Sequence, residues 1–227
     1  MRELVVDTET TGLDPVAGHR LVELACVELV NHIPTGRAFQ SYLNPQRDMP
    51  AEAFAVHGLS AEFLADKPPF GTVASGFLEF IADDRLVIHN AEFDLKFINA
   101  ELGVSGRAAL PYTRVVDTLA LARRKFPGAQ ASLDALCKRF AIDNAHREKH
   151  GALLDAELLA QVYIELIGGR QPGLELAAAA TAAAGAVASG EISRRGARPA
   201  RPHAPSAEEL AAHAAFVAAL GDAIWRK

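Results

Sequence analysis

Apolar residues in the first part of the chain fall in short runs of the kind that strands use. Leu4-Val5-Val6 opens one strand and ends at Asp7; Leu21–Val30 is a second and Ala38–Leu43 a third. Between the last two, Asn31–Arg37 contains a proline and a glycine and can turn the chain back on itself. The period then changes. Phe70, Val73, Phe77 and the Phe80/Ile81 pair recur at helical spacing, which predicts a helix over Phe70–Ile81. Leu86-Val87-Ile88 reads as a short buried strand running into a helix at Glu92–Leu102, and Val115-Val116 as another running into Thr118–Lys125. Ser132 is placed to cap a helix carrying Leu133, Leu136, Cys137 and Phe140. A last apolar helix, Leu153–Ile167, is stopped by Gly168-Gly169. Hairpin-like strands followed by alternating strands and helices predict an α/β fold: a mixed five-stranded sheet with flanking helices.

The character changes after Gly169. Ala177–Ala188 is almost all alanine, and Ser193–Pro205 combines arginines with prolines, which is linker composition. Order returns at Ser206 and Glu209, a capping-box pair. Leu210, Val217 and Ile224 then recur every seven residues, flanked by Phe216, Leu220 and Trp225. The expected organisation is a globular domain over 1–170, a short segment at 171–176, a linker over 177–205 and an amphipathic docking helix over 206–227.

Composition narrows the function classes. The 227 residues are 50% hydrophobic and 22% charged, with a net charge of −5. No basic field advertises nucleic-acid binding, so any attraction to DNA has to come from bound cations or from a partner. Two cysteines, Cys26 and Cys137, are too few for a disulfide scaffold and point to a reducing compartment. The longest uncharged apolar stretch is alanine-rich and shorter than the roughly 20 residues that a membrane span requires. The expectation is a cytoplasmic protein with no membrane association.

Three acidic segments carry candidate chemistry. Asp7 and Glu9 lie two apart at a strand end, so a period of two puts both carboxylates on one face. Side by side they repel; a hard divalent cation such as Mg²⁺ or Mn²⁺ turns that repulsion into ligation. An acidic strand end leading into a turn would look the same. Asp94 sits in the first turn of a helix, where an acid commonly complements the dipole. His89 and Asn90, just before it, suit a structural role in the turn. The third segment is His150-Gly-Ala-Leu-Leu-Asp155. On one continuous helix these two side chains would point about 140° apart. They meet only if His150 lies in the loop before the helix and Asp155 in its first turns. A histidine so placed can accept a proton from water near neutral pH. Together Asp7, Glu9, Asp94, His150 and Asp155 supply what two-metal phosphodiester hydrolysis needs.

These segments resemble the DEDD-type 3′→5′ exonucleases, in their histidine-bearing subgroup. The match is carried by Asp-Thr-Glu-Thr-Thr-Gly at 7–12, His-Asn-Ala-Glu-Phe-Asp at 89–94 and His-Gly-Ala-Leu-Leu-Asp at 150–155. The resemblance implies a ribonuclease H-like fold, two divalent cations held by Asp7, Glu9, Asp94 and Asp155, and His150 as general base. Residues from about 3 to 170 are similar to the epsilon proofreading subunits of bacterial DNA polymerase III, through Pro50–Gly58 and Ser132–Cys137 as well. That similarity implies contacts of Glu52 and His57 with the terminal nucleotide, beside Asp7, Glu9 and Asp155, at the 3′ end of single-stranded or frayed DNA. It also implies a sliding-clamp contact through Gln171, Leu174 and Leu176 and docking of the polymerase alpha subunit on the C-terminal helix.

Two other readings fit the same residues. A free DNA- or RNA-trimming exonuclease would use the same acids, since the metals act on phosphate rather than sugar. An inactive exonuclease fold serving only as an adaptor is disfavoured because all five catalytic positions are filled. The tethered C-terminal helix argues for a proofreading subunit over a solitary nuclease.

Overall fold

The computed structural model describes residues 1–145, 149–168 and 205–219. The chain divides into two compact units, Met1–Leu174 and Glu175–Lys227. The first unit is built on a five-stranded sheet of order β3-β2-β1-β4-β5, comprising β1 (Arg2–Thr10), β2 (Leu21–Val30), β3 (Ile33–Tyr42), β4 (Arg85–Ile88) and β5 (Val115–Asp117). β1–β2 and β2–β3 are antiparallel; β1–β4 and β4–β5 are parallel. The expected mixed sheet is therefore the one observed. Because β1 and β4 run in the same direction, their carboxyl ends open on the same edge. In open α/β sheets that edge is where ligands sit.

Seven α-helices belong to this unit among its described residues: α1 (Ala51–His57), α2 (Ala61–Leu64), α3 (Phe70–Ile81), α4 (Ala91–Val104), α5 (Thr118–Lys125), α6 (Leu133–Phe140) and α7 (Ala152–Leu166). α3 buries Phe70, Phe77 and Ile81 of the expected stripe, with Ala74 beside them, while Val73 and Phe80 are only partly buried. Burying an apolar side chain of this size contributes about 1.5–3 kcal/mol. These residues join Leu4, Val6, Leu24, Cys26, Leu86 and Ile88 on one face of the sheet, together with Leu95, Phe97 and Ile98 of α4. α7 covers the other face, where Ala156, Leu159, Ala160 and Tyr163 meet Val5, Val27, Leu29 and Val87. α5 and α6 complete that side against Leu158, Val162 and Leu166. The two cores fix which acids face which helix.

The β2–β3 connection is tighter than the sequence suggested. β3 begins at Ile33 rather than Ala38, and the turn is Asn31-His32, with φ of 51° and 62°. Two successive left-handed residues suit the twist of a two-residue hairpin. Pro34 is tolerated because β3 is an edge strand and one side of it makes no ladder. α1 and α2 were not anticipated as separate elements. They are short, seven and four residues, and too brief for a periodic signal.

Within the second unit the described element is α8 (Ala207–Ala219). Ser206 Oγ accepts the Glu209 N–H at 3.2 Å, and Glu209 Oε2 accepts the Ser206 N–H at 2.7 Å, the expected capping box. The linker up to residue 204 and the segment containing Gln171, Leu174 and Leu176 lie outside the described residues, as do Leu220, Ile224 and Trp225. Among the described residues no helix is long and apolar enough to cross a membrane.

Candidate active site

β1 brings its acids to the open edge. Alternation along the strand sends Val5, Asp7 and Glu9 toward α7, and Val6 and Thr8 toward α4. The Thr-Gly turn beyond is held by Thr10 Oγ1 donating to the Gly12 carbonyl at 2.6 Å and by Thr11 Oγ1 accepting the Arg20 N–H at 3.0 Å. A Cβ at Gly12 would lie 2.3 Å from the His19 ring, so any larger residue would displace that side chain.

The arrangement of residues 150–155 is the one the spacing demanded. His150 precedes α7, Gly151 is its cap residue, and Asp155 lies in its first turn. His150 Nδ1 and Asp155 Oδ2 are 3.2 Å apart, with the histidine side chain 48% exposed and the carboxylate 3%. One ligand atom from each of Glu9, His150 and Asp155 lies within 4.8 Å of the others, close enough to share a cation. Hard carboxylate oxygens with one imidazole nitrogen suit a divalent ion.

Asp94 reaches the same cavity from the opposite sheet face. It is buried in the first turn of α4, and its Oδ1 accepts a 2.7 Å hydrogen bond from Thr8 Oγ1. Burial pushes the Asp94 carboxyl above the usual carboxylate range, against the pull of the Thr8 hydroxyl and nearby backbone amides. A cation beside it would supply the opposing charge. His89 is half-buried with Nδ1 2.9 Å from Thr118 Oγ1, and partial burial lowers its basicity, which fits the structural role expected of it.

Asp7, Glu9, Asp94, His150 and Asp155 all line one cavity of about 590 Å³, with Thr8, Phe93, Arg123 and Asp134 also in its wall. Glu52 and His57 do not. They line an adjoining cavity of about 500 Å³ with Leu13, Ala53, Val56 and His19, and Thr8, Glu9 and Phe93 are common to both. His57 is buried; its Nδ1 accepts the Leu59 N–H at 3.0 Å, so the neutral ring carries its proton on Nε2. Nε2 makes no hydrogen bond of full geometry. Burial depresses the basicity of His57; the Thr10 backbone works against that, and Lys149 and His150 add to it.

Sequence reasoning passed over several wall residues. Thr8 and Phe93 sit inside the motifs and were masked by their acidic neighbours. Arg123 has no local signal, because it comes to the cavity only through the placement of α5.

Comparison with known proteins agrees with this geometry. Residues 4–163 match the exonuclease family. The DNA polymerase III subunit epsilon of Rickettsia felis is 56% identical over 179 residues, 78% of each chain. That of Escherichia coli strain K12 is 48% identical over 177 residues, 74% of this chain and 72% of its own. Among solved structures, exonuclease X in complex with 5′-overhanging duplex DNA superposes with a TM-score of 0.58 at 26% identity, covering 73% of this chain and 90% of its own. The nuclease domain of 3′hExo, a DEDDh family member bound to rAMP, superposes with a TM-score of 0.64 over 73% and 91% of the two chains; at 18% identity it speaks for the fold alone.

The chain thus belongs to the exonuclease family, and within it to the epsilon subunits of DNA polymerase III: it is a 3′→5′ DNA exonuclease with a proofreading role. Divalent-metal dependence and membership of a polymerase complex come with that family.

Proposed function

We propose that the chain hydrolyses the 3′-terminal phosphodiester with two Mg²⁺ or Mn²⁺ ions held by Asp7, Glu9, Asp94 and Asp155, and with His150 as general base. The observation that carries this reading is the convergence of Glu9, His150 and Asp155 within 4.8 Å. When bound, such ions lower the pKa of water and neutralise charge on the leaving oxygen. His150 stands at the mouth of the cavity, exposed enough to pass a proton on to solvent. Its 3.2 Å approach to Asp155 orients the ring. The adjoining cavity takes the terminal nucleotide, with Glu52 and His57 in its wall beside Phe93 and Val56. Because Glu9 lines both cavities, one side chain couples substrate seating to the metal site.

The C-terminal segment is the link to the polymerase. α8 presents Leu210 and Phe216, 54% and 63% exposed, to a partner such as the polymerase alpha subunit. Residues 171–176, with Gln171, Leu174 and Leu176, are proposed to contact the sliding clamp, in the cytoplasm. Tethering raises the effective concentration of the exonuclease at the primer end, which offsets the weak DNA affinity of a chain with net charge −5.

The test compares full-length chain with a chain ending at Gly173, each mixed with its polymerase subunit on a mismatched primer. Truncation should leave single-strand digestion near normal and abolish both stable association and mismatch removal. Intact binding and proofreading by the truncated chain would refute the tail assignment.

A further inference from the structure

A second buried glutamate stands directly across from Glu9. Glu9 and Glu23 are register partners in the antiparallel pair β1–β2, so both side chains project on the face that α7 covers. Glu23 is 2% exposed, and an acid that deeply placed beside another acid needs a compensating role. Both its oxygens are engaged: Oε2 accepts the Ala152 N–H at 3.0 Å, and Oε1 accepts Nε2 of Gln40 at 2.7 Å.

Ala152 is the first residue of α7, and the cap position is Gly151, which has no side chain to offer. The first N–H groups of a helix have no partner within it. A serine or aspartate at the cap ordinarily supplies one. Here the acceptor comes from β2, 129 residues away in sequence. Its negative charge also lies at the positive end of the α7 dipole. Two residues earlier, the His150 N–H donates to the Val56 carbonyl at 3.2 Å. The start of α7 is therefore pinned to β2 on one side and to α1 on the other, and His150 and Asp155 flank the pinned residue.

We propose that Glu23 is a positioning residue for the exonuclease reaction, its carboxylate capping α7 at Ala152 and so setting where His150 and Asp155 stand relative to Glu9. The proposal rests on the assignment of His150 and Asp155 to the active site. The body of α7 is secured by Ala156, Leu159, Ala160 and Tyr163 against the sheet, so loss of the cap loosens the first turn and leaves the helix docked. Displacements of about 1 Å at a catalytic group cost on the order of 10²-fold in rate.

The experiment compares Glu23→Ala and Glu23→Gln in the full chain. It reads kcat and KM on a single-stranded oligonucleotide, Mn²⁺ affinity by calorimetry, and the melting temperature. Gln keeps an acceptor for Ala152, and the Gln40 amide can turn to accept from its new NH₂. Glu23→Ala should lower kcat about 10- to 10²-fold with KM little changed, and weaken Mn²⁺ binding about 10-fold. Glu23→Gln should recover both to within a few-fold of the parent. A folded Glu23→Ala variant with parental kcat and Mn²⁺ affinity overturns the proposal. So does a Gln variant as defective as Ala, since charge rather than the cap would then be what matters. Should the Ala variant not fold, the Gln variant decides alone. The underlying assignment fails separately, if Asp155→Asn or His150→Ala stays fully active.

Discussion

Thr8 Oγ1 donates a 2.7 Å hydrogen bond to Asp94 Oδ1, joining the middle of the Asp7–Glu9 segment to the first turn of α4. Thr8 faces the opposite side of the sheet from its two acidic neighbours. One strand thereby addresses both helices that bring acids to the cavity: Asp7 and Glu9 toward α7, and Thr8 toward α4.

Thr8→Val keeps the shape and removes the donor. Losing a hydrogen bond to a buried charged group costs about 1.5–3 kcal/mol, and the Asp94 carboxylate would then be set only by its backbone contacts. We expect a folded protein that needs roughly tenfold more Mn²⁺ for half-maximal activity, with Thr8→Ser close to the parent. Metal titration of the three proteins checks this; equal requirements would show that Thr8 does not hold Asp94 in place.

His150→Ala should lower the rate by about 10²–10⁴-fold, the usual worth of a general base. Mn²⁺ binding should persist, since Glu9 and Asp155 remain. Calorimetry that finds no Mn²⁺ binding to His150→Ala would make the histidine a ligand instead of a base.

Stability should respond to acid through Glu28. The Thr35 hydroxyl, at 2.7 Å, and the Arg2 guanidinium hold its carboxyl below the usual range despite burial. A carboxyl whose folded pKa is depressed contributes stability above its unfolded value, about 4.3, and loses it as pH falls through the lower folded value. Glu28→Gln should therefore melt below the parent at pH 7, and the gap should narrow over the acid range below about pH 4.3. A gap that stays constant across that range would mean the loss is one of packing.

Much of this was legible in the sequence because its signals are local. The Phe70–Ile81 helix lies where its spacing put it, and Gly151 separates His150 from α7 as the angular argument required. Asp7 and Glu9 share a face because a strand has period two. The turn is shorter than the Asn31–Arg37 connection that Pro34 and Gly36 suggest, because Asn31 and His32 both adopt left-handed geometry and close the hairpin by themselves. The roles of Thr8 and Glu23 depend on partners 86 and 129 residues distant, and that of Arg123 on helix placement, which no local pattern encodes. The separation of Glu52 and His57 into a second cavity has the same origin, since α1 is positioned by packing rather than by its own seven residues.

The most direct test of the account is product analysis on a single-stranded oligonucleotide labelled at its 5′ end, with purified chain in Mg²⁺ or Mn²⁺ and with chelator, alongside Asp7→Ala and Asp155→Asn. The account predicts a ladder shortening one nucleotide at a time from the 3′ end and release of mononucleotides. It also predicts no cleavage in chelator and none by either variant, although both variants fold. Cleavage that survives chelation, or a variant that keeps the parental rate, would contradict it.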